Sequence, residues 1–309
     1  MALLRAVWTL KELSGGRGRV HALHVNHQLR GEESEADARW CEDQCESLGV
    51  ELRVLAGSAS ARAASGGDGL EAAARSERYQ LLTCAAEQLG ARYLATAHTR
   101  DDQAETVFFR ILRGSGLRGL SGIPRSRKLT PALTLVRPLL ACSRELLRRY
   151  LHSLGQTSRE DSSNLDLQFT RNRLRHDLLP KLRAQYNSNL DSALVNLARQ
   201  AEEAEQLIEQ LAQQLLEEST INFRQGPQSD LFLEFGSNVE FASPVARAAL
   251  RHAWREANLP EQDMTYQWWA RLASLLENES GEKYLNLPGG VYASVEQGKL
   301  RLQWSTLSK

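Results

Sequence analysis

The stretch Tyr93-Leu-Ala-Thr-Ala-His-Thr-Arg-Asp-Asp-Gln-Ala-Glu-Thr106 gathers His98, Asp101, Asp102 and Glu105 within eight residues. Carboxylates and an imidazole at that spacing can orient a cationic amine, take its proton, or steady charge developing on a reacting oxygen. The pattern also has an ordinary structural use. Asp102-x-x-Glu105 matches a helix capping pair, and acids in a first helical turn offset the helix dipole.

Two further groups carry functional side chains. His24-Val-Asn-His-Gln-Leu-Arg30 offers His24, Asn26 and Arg30, polar groups suited to bordering a nucleotide. Its two histidines, three positions apart, lack a cysteine or acidic partner at ligand spacing, which argues against zinc. Asp161-Ser-Ser-Asn164 is followed by Phe169-Thr-Arg-Asn-Arg-Leu-Arg-His176. There Arg171 and Arg175 are one helical turn apart, so their guanidiniums can clamp one phosphate or carboxylate. An exposed basic face is the plain alternative. Ser65-Gly-Gly-Asp-Gly69 looks like a phosphate loop, but no strand precedes it, and it reads as the loop before a helix.

These groups need elements to hold them. Arg19–Asn26, Val50–Leu55 and Arg92–Ala97 read as buried strands. Asp37–Leu48, Leu70–Leu89, Asp102–Leu112, Ser143–Leu154 and the basic Phe169–Arg183 read as helices. Strands alternating with helices indicate a doubly wound parallel sheet, and such folds bind ligands beyond the carboxyl ends of their strands. His98, Asp102 and Glu105 follow the third strand directly, so they should face a hollow at the strand tips, opposite Arg171 and Arg175. Gly114–Gly122, four glycines in nine residues, reads as a loop. Asn189–Glu218 holds helical patterning with no glycine or proline, long enough to connect domains. Beyond Gly226 lie four of the six tryptophans and a hairpin-like pair, Leu287–Tyr292 and Lys299–Trp304, which indicate a smaller α+β module.

Composition narrows the class. The 309 residues balance 38 basic against 38 acidic groups, with a mean hydropathy of −0.43. No apolar run reaches the ~18 residues needed to span a bilayer. Four scattered cysteines (Cys41, Cys45, Cys84, Cys142) cannot frame a disulfide scaffold, and a cytoplasmic location fits them best. The neutral total hides asymmetry: Arg137–Arg183 holds ten basic against five acidic residues, whereas 200–240 holds nine acidic residues against Arg224 alone. One basic face suffices for a nucleic-acid partner.

In this order, seven segments resemble the tRNA(Ile)-lysidine synthases of the PP-loop ATP pyrophosphatase family. They are His24–Arg30, Glu71-Ala-Ala-Ala-Arg75 with Arg78-Tyr79, Thr96–Thr106, Arg113-Gly-Ser-Gly-Leu-Arg-Gly-Leu120, Arg137-Pro-Leu-Leu140, Asp161–Asn164 and Arg171–His176. The resemblance covers roughly residues 1–183. It implies an adenine nucleotide alpha-hydrolase-like α/β fold over 1–185, a helical connector over 186–220 and a tRNA-binding central domain over 221–309. The family opens with a strand and a Ser-Gly-Gly-x-Asp-Ser phosphate loop. This chain begins at Met1-Ala-Leu-Leu4, matching the residues just after that loop, so the first strand and loop are expected to be missing and adenylation by this chain to be severely impaired.

The activity implied is ATP-dependent ligation of lysine to the wobble cytidine of isoleucine tRNA (anticodon CAU) through an adenylated intermediate. The implied roles are catalytic for Asp102, Glu105 and His98, lysine or tRNA binding for Arg171, Arg175 and Arg113, and nucleotide binding for His24, Asn26 and Arg30. ATP and Mg2+ would serve as cofactors, with no metal ligand assigned on the chain. Isoleucine tRNA and free L-lysine would be the partners, with no membrane and with room for a homodimer. The alternatives are a catalytically impaired tRNA-binding relative, or another PP-loop tRNA-modifying enzyme. A thiolase is disfavoured because no Cys-x-x-Cys motif occurs.

Overall fold

The computed structural model describes residues 1–27, 31–57, 68–157, 159, 168, 170–224, 228–236, 239–277, 283–296 and 298–305. Arg30, residues 65–67 of the false phosphate loop and the Asp161–Asn164 motif lie outside them. Two compact units divide the chain, Met1–Ala201 and Glu202–Lys309.

In the first unit, α1 (Ala2–Ser14) stops at Gly15, whose φ of 62° is the left-handed conformation that glycine adopts without strain. Strands β1 (His21–Asn26) and β2 (Glu51–Ala56) pair in parallel, His21 opposite Glu51 and Asn26 opposite Ala56, with α2 (Glu32–Ser47) as the crossover. Alternation along β1 sorts its side chains onto two faces. Ala22, with Leu52 of β2, packs under Trp8 of α1 and Cys45 and Leu48 at the end of α2. Leu23 and Val25 face Leu82 and Ala86 of α3 (Asp68–Gln88). Helices thus cover both faces, as in doubly wound proteins.

The first unit's strands are hydrogen-bonded in two pieces. Among the described residues β1 and β2 form one parallel pair, while β3 (Tyr93–Ala95) pairs with β5 (Thr134–Val136) in parallel and β5 with β4 (Ser126–Lys128) antiparallel. A shared core joins the two pieces, in which Val25, Leu82, Leu94, Leu133 and Leu135 meet. β4 and β5 span three residues each, too short for any alternation to register in sequence.

After β3 the chain turns into α4 (Arg100–Leu112), whose Ala104 and Val107 are buried against Leu179, Leu194 and Ala198. The glycine-rich segment beyond it is more ordered than a loop. It contains the short helix α5 (Leu117–Leu120), held to α4 by Arg110, which donates to the carbonyls of Gly119 (2.5 Å) and Gly122 (2.8 Å). Gly122 has φ 72°, and a Cβ there would sit 2.6 Å from Gln103 Oε1, which accepts the Ile123 N–H. Next come α6 (Arg144–Ser153) and a broken basic helix: α7 (Thr170–Arg173), a π turn (Leu174–Leu178) and α8 (Leu179–Gln185). Pro180 explains the break. It has no N–H to give the carbonyl one α-turn back and would clash with it, and the wider turn accommodates the ring.

Helix α9 (Leu190–Glu217) contributes Leu194 and Ala198 to the first unit and Ala212 to the core of the second. That second core lies under a five-stranded antiparallel sheet ordered β6-β7-β10-β9-β8. Its strands are β6 (Thr220–Arg224), β7 (Gln228–Glu234), β8 (Tyr284–Leu287), β9 (Val291–Glu296) and β10 (Lys299–Ser305). The expected hairpin appears as β8, a Pro288–Gly290 turn and β9, with β10 adding alongside β9. Helices α10 (Pro244–Glu256) and α11 (Tyr266–Ser274) fill the core, with Trp254 and Trp269 packed edge to face at 5.4 Å. Among the described residues no helix is long and apolar enough to cross a membrane.

Candidate active site

The start of α4 sets the geometry. Asp102 does not cap the helix with Glu105; the box lies one turn earlier. Thr99 is the N-cap, its N–H and Oγ1 donate to Asp102 Oδ2 at 2.8 and 2.7 Å, and its Oγ1 accepts the Asp102 N–H at 3.3 Å. This leaves the second oxygen of Asp102 and the whole of Glu105 on the same side of α4, three residues apart.

Guanidiniums meet both carboxylates. Arg144 donates to Asp102 Oδ1 at 2.5 Å and to Glu105 Oε1 at 2.8 Å. Arg175 donates from Nε to Glu105 Oε1 at 2.9 Å, and from Nη2 to Glu105 Oε2 at 2.8 Å and Asp102 Oδ1 at 3.2 Å. Arg171 stands 3.8 Å from Glu105 Oε2. Glu105 is only 2% exposed, and these three guanidiniums surround its carboxyl group. The remaining acid, Asp101, accepts the Arg144 backbone N–H at 2.9 Å, fixing α6 against α4.

Burial would push the Asp102 carboxyl up, but Arg144 and the two Thr99 hydrogen bonds outweigh it and hold it below the usual carboxylate range. His98, on the turn between β3 and α4, lies 3.0 Å through Nδ1 from Thr96 Oγ1. Burial and the nearby Arg137 and Arg75 lower its pKa to about 4, against a weaker opposing pull from Asp102. Its ring is neutral at physiological pH.

The structure therefore joins Asp102, Glu105, Arg171 and Arg175 in one network, with His98 within its field. Arg113 stands apart. It caps the far end of α4, eleven residues or about 16 Å of helix from Asp102, with its guanidinium 4.3 Å from the Phe109 ring centroid. His24 and Asn26 lie on the α2 side of β1, with His24 Nδ1 3.8 Å from Cys41 Sγ and the Asn26 amide donating to Glu35 Oε1 at 2.9 Å. Sequence reading missed Arg144. Its one signal was position, since a cation in the first turn of a helix opposes the dipole and calls for an acidic partner.

A sheet with helices on both faces, and an acidic helix start after a strand facing arginines, define an α/β protein whose candidate site lies beyond a strand end. Residues 1–182 match the model of the PP-loop domain. The tRNA(Ile)-lysidine synthase of Symbiobacterium thermophilum is 33% identical over 91% of this chain and 58% of its own. That of Rhodopirellula baltica is 33% identical over 91% of this chain and 78% of its own, and that of Pseudomonas putida 43% identical over 63% and 43%. The chain belongs to the tRNA(Ile)-lysidine synthase family, and spans 58% of the length of the Symbiobacterium relative. A U34-tRNA thiolase, NcsA from Methanococcus maripaludis, carries the same fold, with a TM-score of 0.53 at 15% identity over 65% of this chain and 69% of its own.

Proposed function

We propose that this chain catalyses ATP-dependent attachment of lysine to the wobble cytidine of isoleucine tRNA, with the α4 carboxylates and the surrounding arginines as the lysine site. The carrying observation is the mixed sign of the partly buried network, two carboxylates with Arg144, Arg171 and Arg175. Free lysine carries both ammonium and carboxylate groups. It can enter by exchange, its carboxylate taking guanidiniums and an ammonium taking a vacated carboxylate, so that no charge is left buried alone.

The cytosine carbonyl carbon is a poor electrophile until its oxygen is adenylated with loss of pyrophosphate. The lysine ε-amine then forms the new carbon–nitrogen bond, the carbon–oxygen bond to AMP breaks, and the amine sheds its protons. Asp102, held below the usual range, orients the ammonium. Glu105, uncovered when the lysine carboxylate draws Arg171 and Arg175 away, takes the proton. Neutral His98 adds no charge and serves as a hydrogen-bonding partner beside the reacting phosphate.

Magnesium commonly enters with nucleotide phosphates and neutralises departing pyrophosphate. Among the described residues no cluster of three acids, histidines or cysteines could hold a metal ion, and the site carboxylates already bind arginines.

The test incubates ATP, L-lysine and isoleucine tRNA with this chain and with the same chain extended upstream. The extended chain should release pyrophosphate and yield a lysine-bearing wobble nucleoside by mass spectrometry, and this chain should do so far more slowly. An unmodified tRNA in both reactions would overturn the reading.

A further inference from the structure

A cleft lies elsewhere in the first unit. One stripe of α3, with Arg75, Tyr79, Thr83 and Glu87 four residues apart, faces the β4–β5 hairpin across a cleft of about 680 Å³. This is within the ~300–1,000 Å³ of ligand pockets. Arg75 and Arg127 hold their guanidiniums 5.3 and 5.7 Å from the Tyr79 ring centroid. Arg137 forms the inner wall. It is 6% exposed and donates from Nη1 to the Pro124 carbonyl at 2.6 Å, yet among the described residues its Nε finds no acceptor. A buried guanidinium nitrogen without a partner is costly.

Three guanidiniums against the single carboxylate of Glu87 select an anion. No glycine lines the cleft, so it lacks the amide cradle that a polyphosphate uses. It has an aromatic ring flanked by planar cations, the surface on which unstacked bases lie. We propose that the cleft takes one single-stranded nucleotide of the RNA beside the nucleotide being modified, its base on the Arg75–Tyr79–Arg127 stack and its phosphate on Arg137. The inference rests on the RNA-modifying reading above and adds where the neighbouring nucleotide goes. Arg137 follows Val136, whose carbonyl accepts the Thr96 N–H at 3.0 Å, and Thr96 Oγ1 lies 3.0 Å from His98 Nδ1, so the cleft adjoins the turn that carries His98.

The test measures binding of a fluorescein-labelled anticodon stem-loop, and separately of ATP, to the full chain and to Arg127→Glu and Tyr79→Leu. Each substitution should weaken RNA binding about tenfold, the loss expected when a stacked base loses part of its aromatic or guanidinium platform. Arg127 is exposed, so its variant reports even where Tyr79→Leu, cut into a core side chain, fails to fold. Unchanged RNA affinity in a folded Arg127→Glu chain would overturn the inference while leaving the lysine reading intact. Weakened ATP binding with RNA binding unchanged would assign the cleft to ATP and overturn it too. A native chain that binds no RNA would sink both.

Discussion

Arg144, in the first turn of α6, reaches back 39 positions to Glu105 and donates to its Oε1 at 2.8 Å. A cation at a helix N-terminus is unfavourable, and the buried carboxylate offsets that cost. The pair locks α6 to α4 at the candidate lysine site.

Replacing Arg144 with Met keeps its apolar stem but leaves Glu105 short of a cation. Urea unfolding should show a loss of about 2–4 kcal/mol. Arg113→Met, which disturbs an exposed ring contact, should cost under ~1 kcal/mol. A double-mutant cycle of Arg144→Met with Glu105→Gln should give ~1–3 kcal/mol of coupling. Strict additivity would mean that the pair does not act as a unit.

His98 titrates at about 4 in the folded chain against an ordinary 6.5. The unfolded chain takes the proton first, so this residue's contribution to stability is full above pH 6.5 and is lost as pH falls towards 4. Partial exposure limits the loss to ~1 kcal/mol. Asp102 shifts down as a carboxylate, so its contribution is lost only at still lower pH, below the ordinary carboxylate range. NMR of the His98 ring protons should show a midpoint near 4, rising in Arg75→Ala. A midpoint near 6.5 in the native chain would contradict the burial of the ring and the placement of Arg137 and Arg75 around it.

Pro180→Ala should restore an N–H and allow regular α-helix through the π turn that carries Arg175. Arg175 would then rotate away from Glu105, so lysine affinity should fall several-fold while thermal stability holds or rises. Unchanged lysine affinity would show that Arg175 reaches Glu105 without the wide turn.

The α/β alternation and the acidic helix after β3 were legible because strand and helix periods differ and Asp102 and Glu105 sit three apart. Arg171 and Arg175 were legible for the same reason, and both arrive at Glu105. The capping box was misread by one turn because Thr99 and Asp102 fit the N-cap pattern as well as Asp102 and Glu105 do. Arg144 was hidden by its distance along the chain, and β4 and β5 by their brevity. The division of the parallel sheet depends on hydrogen bonding between distant strands, which local periodicity does not encode.

The most direct test of the site is binding of free L-lysine to the full chain, followed by saturation-transfer NMR with norleucine as the control lacking the ε-ammonium. Lysine should bind, norleucine should not, and Glu105→Gln should weaken lysine at least tenfold while the fold is retained. Equal lysine binding by a folded Glu105→Gln chain, or equal binding of norleucine, would contradict the assignment of the α4 carboxylates to the lysine ammonium.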